Sequence, residues 1–316
     1  MCLPSGASRG TENRSPDVCQ RTSGSGTVRS HRPWLPANGD EAKGHRVTVQ
    51  SPVRKVCLVV AVAALVVTAG CAKEDKSEVQ ASGVKLIEKG KLTVCTHLPY
   101  PPFQSKDAAG EVIGFDVDMI DLVAQELGVE QRIVDTPFEG IKSGQDLNTG
   151  KCDVAAAGMT ITEERQKVMD FSAPYFDATQ AMLVKTGKPY KSLDDLRGKK
   201  VAVQAATTGR DYARGLATEK GLELVEFEDL AAEQQALANG QVEAAINDLP
   251  VWTEYIKENP GGFEVAAEFD TGEQYGFSVR KDDNPELLKT INEVLDRAKQ
   301  DGTYERVYEK WIGPRP

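Results

Sequence analysis

Segments typical of strands alternate with segments typical of helices from Lys91 to Trp311, and this alternation constrains the fold more than any other feature of the chain. The runs KLTVCT at 91–96 and KVAVQ at 200–204 have the composition of strands. Residues 116–127 and 209–220 have the apolar spacing of helices. Strands that alternate with helices of this length form parallel sheets. The sequence therefore predicts an α/β fold with mainly parallel sheets.

Parallel sheets bind ligands beyond the carboxyl ends of their strands, so the residues that follow each predicted strand are the candidate site. Several of them are polar, aromatic or glycine, as a small-molecule site requires. The candidates are His97, Tyr100, Phe138, Gly158, Thr160, Gln204, Thr208 and Asp248.

Arg165 lies just inside a short predicted helix that begins after Thr162. Thr162 suits the N-cap position, and free N–H groups at a helix start favour an anion. A guanidinium can hold a carboxylate with two parallel hydrogen bonds. These features favour a carboxylate site. The alternative is a surface ion pair between Arg165 and Glu163, Glu164 or Asp170, which would contribute little.

The other candidates also have structural alternatives. Tyr100 and Phe138 could form two walls around a ligand side chain, or could be ordinary core residues. Asp248 suits an ammonium group, but it also precedes Pro250 and a predicted helix from Val251 and could act only as a helix cap. Residues at the start of the helix near Thr208 could likewise serve only for capping.

An apolar segment with a basic flank precedes the α/β region. PVRKVCLVVAVAALVVTAGC has Arg54 and Lys55 near its start, and its apolar part is short for a membrane-spanning helix. This layout predicts a signal peptide at 53–70, with a buried core helix as the alternative. The end TAGC resembles a bacterial lipobox, so Cys71 is the expected lipidation site. Residues 71–83 would be the lipidated tether.

Residues 1–52 show neither helical nor strand periodicity and are predicted to be a disordered extension. A signal peptide normally begins close to its basic flank, so the extension is also interpreted as a possible error in the assigned gene start. Translation would then begin near Val47, Val49 or Val53.

Charge and cysteine usage narrow the function further. From Cys71 onward the chain has 29 Lys and Arg against 44 Asp and Glu, a balance that argues against nucleic acid as a partner.

Cys95 and Cys152 are the cysteines left in the exported part, and they form either a disulfide or two buried thiols. No Cys and His cluster predicts a metal site, because His97 is the only histidine after Cys71.

Taken together, the motifs of residues 91–312 resemble a family 3 extracellular solute-binding protein, of the class that feeds polar amino acids to ABC importers. The resemblance extends over essentially the whole exported region. It depends on the segments PYPPF (99–103), GFDVDMIDLVAQELG (114–128), KCDVAAAGMTITEERQKVMDFSAPY (151–175), QAATTG (204–209), AAINDLP (244–250) and YGFSVRKDD (275–283).

The resemblance implies a two-lobed fold of the periplasmic-binding-protein type, type II, with two hinge crossings. Lobe 1 would be 84–183 plus 277–316, and lobe 2 would be 186–273. It implies that Arg165 binds the α-carboxylate of an amino acid with help from Thr160 and Thr208. Asp248 and the Gly158 carbonyl would accept from the α-ammonium. Tyr100 and Phe138 would enclose the side chain.

The resemblance also implies a monomer without a cofactor, an ABC permease as partner, and a lipid anchor outside the cytoplasm. Members that bind basic amino acids often carry an acid where this chain has His97. With Gln204 also facing the expected ligand side chain, glutamine or glutamate is the preferred ligand. Two alternatives remain open: a dehydratase-like enzyme that uses His97 or Glu139, and a ligand-sensing ectodomain.

Overall fold

The computed structural model describes residues 78–79 and 83–315 of the 316-residue chain. The predicted extension, the signal peptide, Cys71 and most of the tether lie outside these residues. Two five-stranded sheets form the framework, and helices pack against both. No helix within the described residues is long and apolar enough to cross a membrane.

The first sheet has the strand order β6-β3-β7-β14-β8. β3 is parallel to β6 and β7, whereas β14 is antiparallel to β7 and β8. The bounds are β3 Lys91–Thr96, β6 Glu130–Asp135, β7 Val154–Ala155, β8 Met169–Phe171 and β14 Ser278–Arg280.

The second sheet has the order β11-β10-β12-β9-β13. β10 is parallel to β11 and β12, whereas β9 is antiparallel to β12 and β13. The bounds are β9 Phe176–Lys185, β10 Lys200–Gln204, β11 Glu223–Phe227, β12 Ala244–Asp248 and β13 Phe263–Tyr275. Four strands of each sheet thus run in one direction, and the fifth, β14 or β9, is antiparallel to its neighbours. The predicted α/β fold is confirmed, with one antiparallel strand in each sheet.

The helices lie between the strands in the predicted order. Their bounds are α1 Phe115–Leu127, α2 Phe138–Lys142, α3 Gln145–Asn148, α4 Glu163–Gln166, α5 Thr208–Lys220, α6 Leu230–Ala238, α7 Leu249–Glu258, α8 Pro285–Gln300 and α9 Thr303–Trp311. A 3₁₀ helix spans Leu193–Leu196, and two-residue strands pair as β1 Glu78–Val79 with β2 Lys85–Leu86 and as β4 Ser105–Lys106 with β5 Val112–Ile113.

Helix α1 shows how the sequence forms the core. Its predicted apolar face is buried, with Met119, Ile120 and Val123 fully enclosed. Gly128 ends the helix in the left-handed conformation, at φ 66°, which glycine adopts without steric cost. A positive φ also separates α2 from α3, at Gly144, where φ is 73°.

The strands β9 and β13 pair with each other and connect the two sheets. Their ladder has one register shift between Val265 and Ala267 and another between Phe269 and Glu273. The prediction placed residues up to 183 in the first lobe, but residues 176–183 belong to the second sheet because their backbone pairs with β12 and β13.

Candidate functional site

One cavity of about 330 Å³ lies between the strand ends of the two sheets. All nine residues predicted as ligand-binding line it: His97, Tyr100, Phe138, Gly158, Thr160, Arg165, Gln204, Thr208 and Asp248. Gln104, Ala157 and Thr207 complete the lining.

Arg165 is 4% exposed, and its guanidinium is held by backbone carbonyls. It donates to Thr160 O at 2.8 Å and to Ala206 O at 3.2 Å, so it joins the loop after β7 to the loop after β10. Its Cζ lies 5.5 Å from the centre of the Phe138 ring. Burial lowers the pKa of Arg165, and the negative charges of Glu273 and Asp248 oppose this effect.

Arg165 has no carboxylate within ion-pair distance among residues 83–315. The predicted surface alternative does not form, since Asp170 pairs with Lys281 at 2.6 Å. Thr162 is the N-cap of α4 as predicted, and its side chain accepts from Arg165 N at 3.2 Å. A buried guanidinium that lacks a carboxylate partner is costly unless something else supplies the negative charge.

Asp248 is 5% exposed and lies at the end of β12. It occupies the N-cap position of α7, but its side chain makes no capping hydrogen bond. Its oxygens instead accept from the Tyr100 hydroxyl at 2.7 Å, from the Tyr275 hydroxyl and from Gln180 Nε2. The pKa of Asp248 is raised to about 6, chiefly because burial disfavours the charged form and because Glu273 is negative. At neutral pH it is therefore mainly a carboxylate, and no Lys or Arg nitrogen in the described chain pairs with it.

Tyr100 and Phe138 lie on the cavity wall but are also largely buried, at 6% and 8% exposed. Tyr100 connects the lobes because its hydroxyl also lies 2.8 Å from Asn247 Oδ1. Gly158 sits beneath the Tyr100 ring at φ 55°, where an added Cβ would be 3.1 Å from Cε1 of that ring. Only glycine fits this conformation and this close approach.

The hydroxyls of Thr160 and Thr208 are already engaged. They donate to Glu273 Oε2 at 2.8 Å and 2.7 Å, respectively. Gln180 Nε2 lies 3.2 Å from the same oxygen. Thr207, not Thr208, caps helix α5, by accepting from Arg210 N.

Two acceptor atoms in the cavity lining have no partner in the described chain. His97 Nδ1 lies 3.0 Å from Thr136 O, and a carbonyl only accepts, so Nδ1 carries the hydrogen. In a neutral ring Nε2 is then an acceptor, and it is buried without a partner. Gln104, 1% exposed, has an Oε1 in the same situation.

Behind the cavity, Glu233 is fully buried, and its Oε2 accepts from Asn247 Nδ2 at 2.8 Å. Asn247 Nδ2 also lies 3.3 Å from Gln204 Oε1. Burial raises the pKa of Glu233 to about 8, so this side chain is largely protonated at neutral pH. The network fixes Asn247 next to Tyr100 and Asp248.

The structure also shows site residues that the sequence reasoning missed: Gln104, Gln180, Glu233 and Glu273. Gln180 and Glu273 lie within the crossing strands β9 and β13 rather than at the ends of parallel strands, where ligand-binding residues are expected. Gln104 directly follows PYPPF, one of the segments on which the family resemblance depends, so it could have been identified from the sequence. The structure contains a disulfide between Cys95 and Cys152, whose Cα atoms are 5.6 Å apart.

Comparisons with known proteins establish the family of the chain. The family model of bacterial extracellular solute-binding proteins, family 3, matches residues 92–314. A probable histidine-binding protein of Neisseria gonorrhoeae is 33% identical over 69% of this chain and 82% of its own length. The glutamine-binding protein GlnH of an ABC transporter from Bacillus subtilis is 36% identical over 66% of this chain and 76% of its own.

Among solved structures, an ancestral arginine-binding protein bound to arginine is 44% identical, with a TM-score of 0.68. The match covers 71% of this chain and 99% of that one. The resemblance stated from the motifs is thereby confirmed. The chain belongs to the bacterial extracellular solute-binding proteins of family 3.

Proposed function

We propose that this protein binds a free L-amino acid between its two lobes and delivers it to the permease of an ABC importer. One observation carries the proposal: Arg165 and Asp248 are both buried in the lining of one cavity, have opposite charges, and have no ion-pair partner among the described residues. An amino acid carries a carboxylate and an ammonium group on one carbon, and so complements both charges.

In this proposal the Arg165 guanidinium holds the α-carboxylate. Asp248, with the Gly158 carbonyl as a second acceptor, holds the α-ammonium. Arg165 follows a strand of the first sheet and Asp248 ends a strand of the second, so a ligand held at both ends bridges the lobes. It thereby favours the closed arrangement, because only that arrangement satisfies both of its charges.

The side chain of the ligand would lie between Tyr100 and Phe138 and end near His97, Gln104 and Gln204. The unpartnered acceptors His97 Nε2 and Gln104 Oε1 favour a side chain that ends in N–H donors. Glutamine is therefore preferred to glutamate, whose carboxylate has no hydrogen to donate. The similar proteins named for histidine, glutamine and arginine all bind side chains with N–H groups.

Binding without turnover is the simpler role for this cavity. Glu139, the predicted alternative acid, is exposed and does not line it; its side chain lies 3.9 Å from Lys142 Nζ. The relatives compared above are named as binding proteins. Export, anchoring through Cys71, a monomeric state and a permease partner complete the proposal and are consistent with the family.

The test has two stages. First, protein purified without refolding is denatured, and mass spectrometry identifies any amino acid that is released. Second, ligand-stripped protein is titrated calorimetrically with the standard amino acids, with glutamine and glutamate as a matched pair. We expect saturable binding at micromolar concentration, and glutamine at least about tenfold tighter than glutamate, since an unmet buried acceptor costs more than 1 kcal/mol. Failure of every amino acid to bind would refute the function, and preference for glutamate would refute the assignment of the acceptors.

A further inference from the structure

Glu273 connects three parts of the molecule through one carboxylate oxygen. It lies on β13, immediately after the register shift that follows Phe269. Its Oε2 accepts from Thr160 Oγ1, which follows β7 of the first sheet, and from Thr208 Oγ1, which begins α5 beside the second. Gln180 Nε2, on the neighbouring crossing strand, is the third contact at 3.2 Å.

The charge of Glu273 has no cationic partner within 4.0 Å in the described part of the chain. Neutral donors alone hold it. Its electric field nevertheless reaches both charged groups of the cavity, since Glu273 contributes to raising the pKa of Asp248 and opposes the lowering of the pKa of Arg165. Glu273 is therefore part of the electrostatics of the site although it does not line the cavity.

A threonine hydroxyl has a single hydrogen to donate. While Thr160 and Thr208 both donate to Glu273, neither hydrogen is available to a ligand carboxylate. Glu273 presents the same chemical group as the α-carboxylate of an amino acid, and two carboxylates cannot share these donors without repulsion.

We propose that Glu273 is an internal competitor of the ligand: its carboxylate occupies the two threonine hydroxyls, and the α-carboxylate of an incoming amino acid has to displace it. This inference rests on the proposed amino-acid function. Glu273 then lowers the affinity of the protein for the amino acid. It also links ligand binding to β13, because the bound carboxylate displaces a side chain of that strand.

The experiment replaces Glu273 by glutamine, which keeps the shape but removes the charge, and by alanine, which also removes the acceptor. Affinity for the amino acid that binds wild type most tightly is measured by calorimetry. We expect both variants to bind it more tightly, the alanine variant by about tenfold, the size of effect that one competing hydrogen bond to a charged group produces. Glu268→Gln, an exposed position on the same strand, is the matched control and should match wild type within about twofold.

A second readout separates competition from a general structural effect. The α-carboxamide of the same amino acid offers a neutral acceptor and is not repelled by a carboxylate, so removing Glu273 should strengthen its binding less than it strengthens binding of the amino acid. Unchanged or weaker binding of the amino acid in both folded variants would overturn the role of Glu273 while the proposed function stands. If wild type binds no amino acid, the proposed function fails and this inference fails with it.

Discussion

Replacing Asp248 by asparagine should change stability and ligand affinity in opposite directions. The carboxylate is buried and its pKa is raised from 3.8 to about 6. In the ligand-free protein, the change in pKa corresponds to about 3 kcal/mol at about 1.4 kcal/mol per pKa unit. Asparagine resembles the protonated acid in shape and never carries this cost. Gln180, whose Oε1 has no partner, can rotate to accept from the new amide.

The pH dependence follows from the sign of the shift. A raised pKa in the folded state means that the folded protein retains a proton that the unfolded chain has already lost. The contribution to wild-type stability is therefore fully present below pH 3.8 and is lost as the pH rises through about 6. Asp248→Asn should consequently be more stable than wild type at pH 7.5, by up to about 3 kcal/mol. The difference should shrink as the pH falls toward 4.

Ligand binding should respond in the opposite sense. The α-ammonium would be buried without its carboxylate, and breaking a buried ion pair costs about 3–5 kcal/mol. Since about 1.4 kcal/mol is a factor of ten, the dissociation constant should rise about 10²- to 10⁴-fold. Urea unfolding at pH 4.5 and 7.5 and calorimetric titration measure the two effects.

The control is Asp229→Asn, because Asp229 is the N-cap of α6 and does accept a backbone hydrogen bond, from Ala232 N. Asparagine caps as well as aspartate, so stability and affinity should both stay near wild type. Wild-type affinity in Asp248→Asn would remove Asp248 from the ammonium site. A stability difference that is equal at both pH values would show that its buried charge is not the cause.

Three other changes test the remaining parts of the site and fold. Arg165→Met should weaken amino-acid binding at least about 100-fold by calorimetry, since it leaves a buried carboxylate unpaired, whereas the surface variant Arg214→Met should bind like wild type. Replacing both Cys95 and Cys152 by alanine should lower the free energy of unfolding by about 4 kcal/mol in the chain-entropy model, and an unchanged urea midpoint would contradict this. The free energy of unfolding of wild type should decrease as the pH rises from 4.5 through about 8, because the buried Glu233 loses its proton only near the upper value. This decrease should be smaller in Glu233→Gln, which has no proton to lose at this position. If wild type and Glu233→Gln lose stability in parallel over that range, Glu233 does not titrate there.

The sequence was informative wherever a local pattern and the tertiary fold agree. β3 and β10 were predicted to the residue because both are continuous strand-forming runs. β8 was missed because its three residues follow directly on a helix. The first part of β13 was missed although apolar residues alternate from Phe263 to Phe269, because the glycines before it and Gly272 within it are typical of loops.

The candidate site was predictable to the extent that it depends on strand ends. The rule for parallel strands selected eight residues that are far apart in the sequence and lie in one cavity, and the argument from the helix start added Arg165 to them. It could not predict Glu273 or Gln180, because their position depends on the pairing of two strands in an antiparallel crossing. It also could not show that Arg165 lacks a partner, since that depends on where every acidic side chain lies.

The pairing of β9 with β13 has a mechanical consequence. Two separate linkers would let the lobes bend, slide and rotate independently of one another. A hydrogen-bonded ribbon whose larger register shift lies between Phe269 and Glu273, and whose smaller one lies between Val265 and Ala267, resists all of these motions except flexing about the larger shift. The opening of the two lobes is therefore expected to be one motion whose direction is set by the backbone. Different ligands would change the lifetimes of the open and closed states but not the direction of the motion.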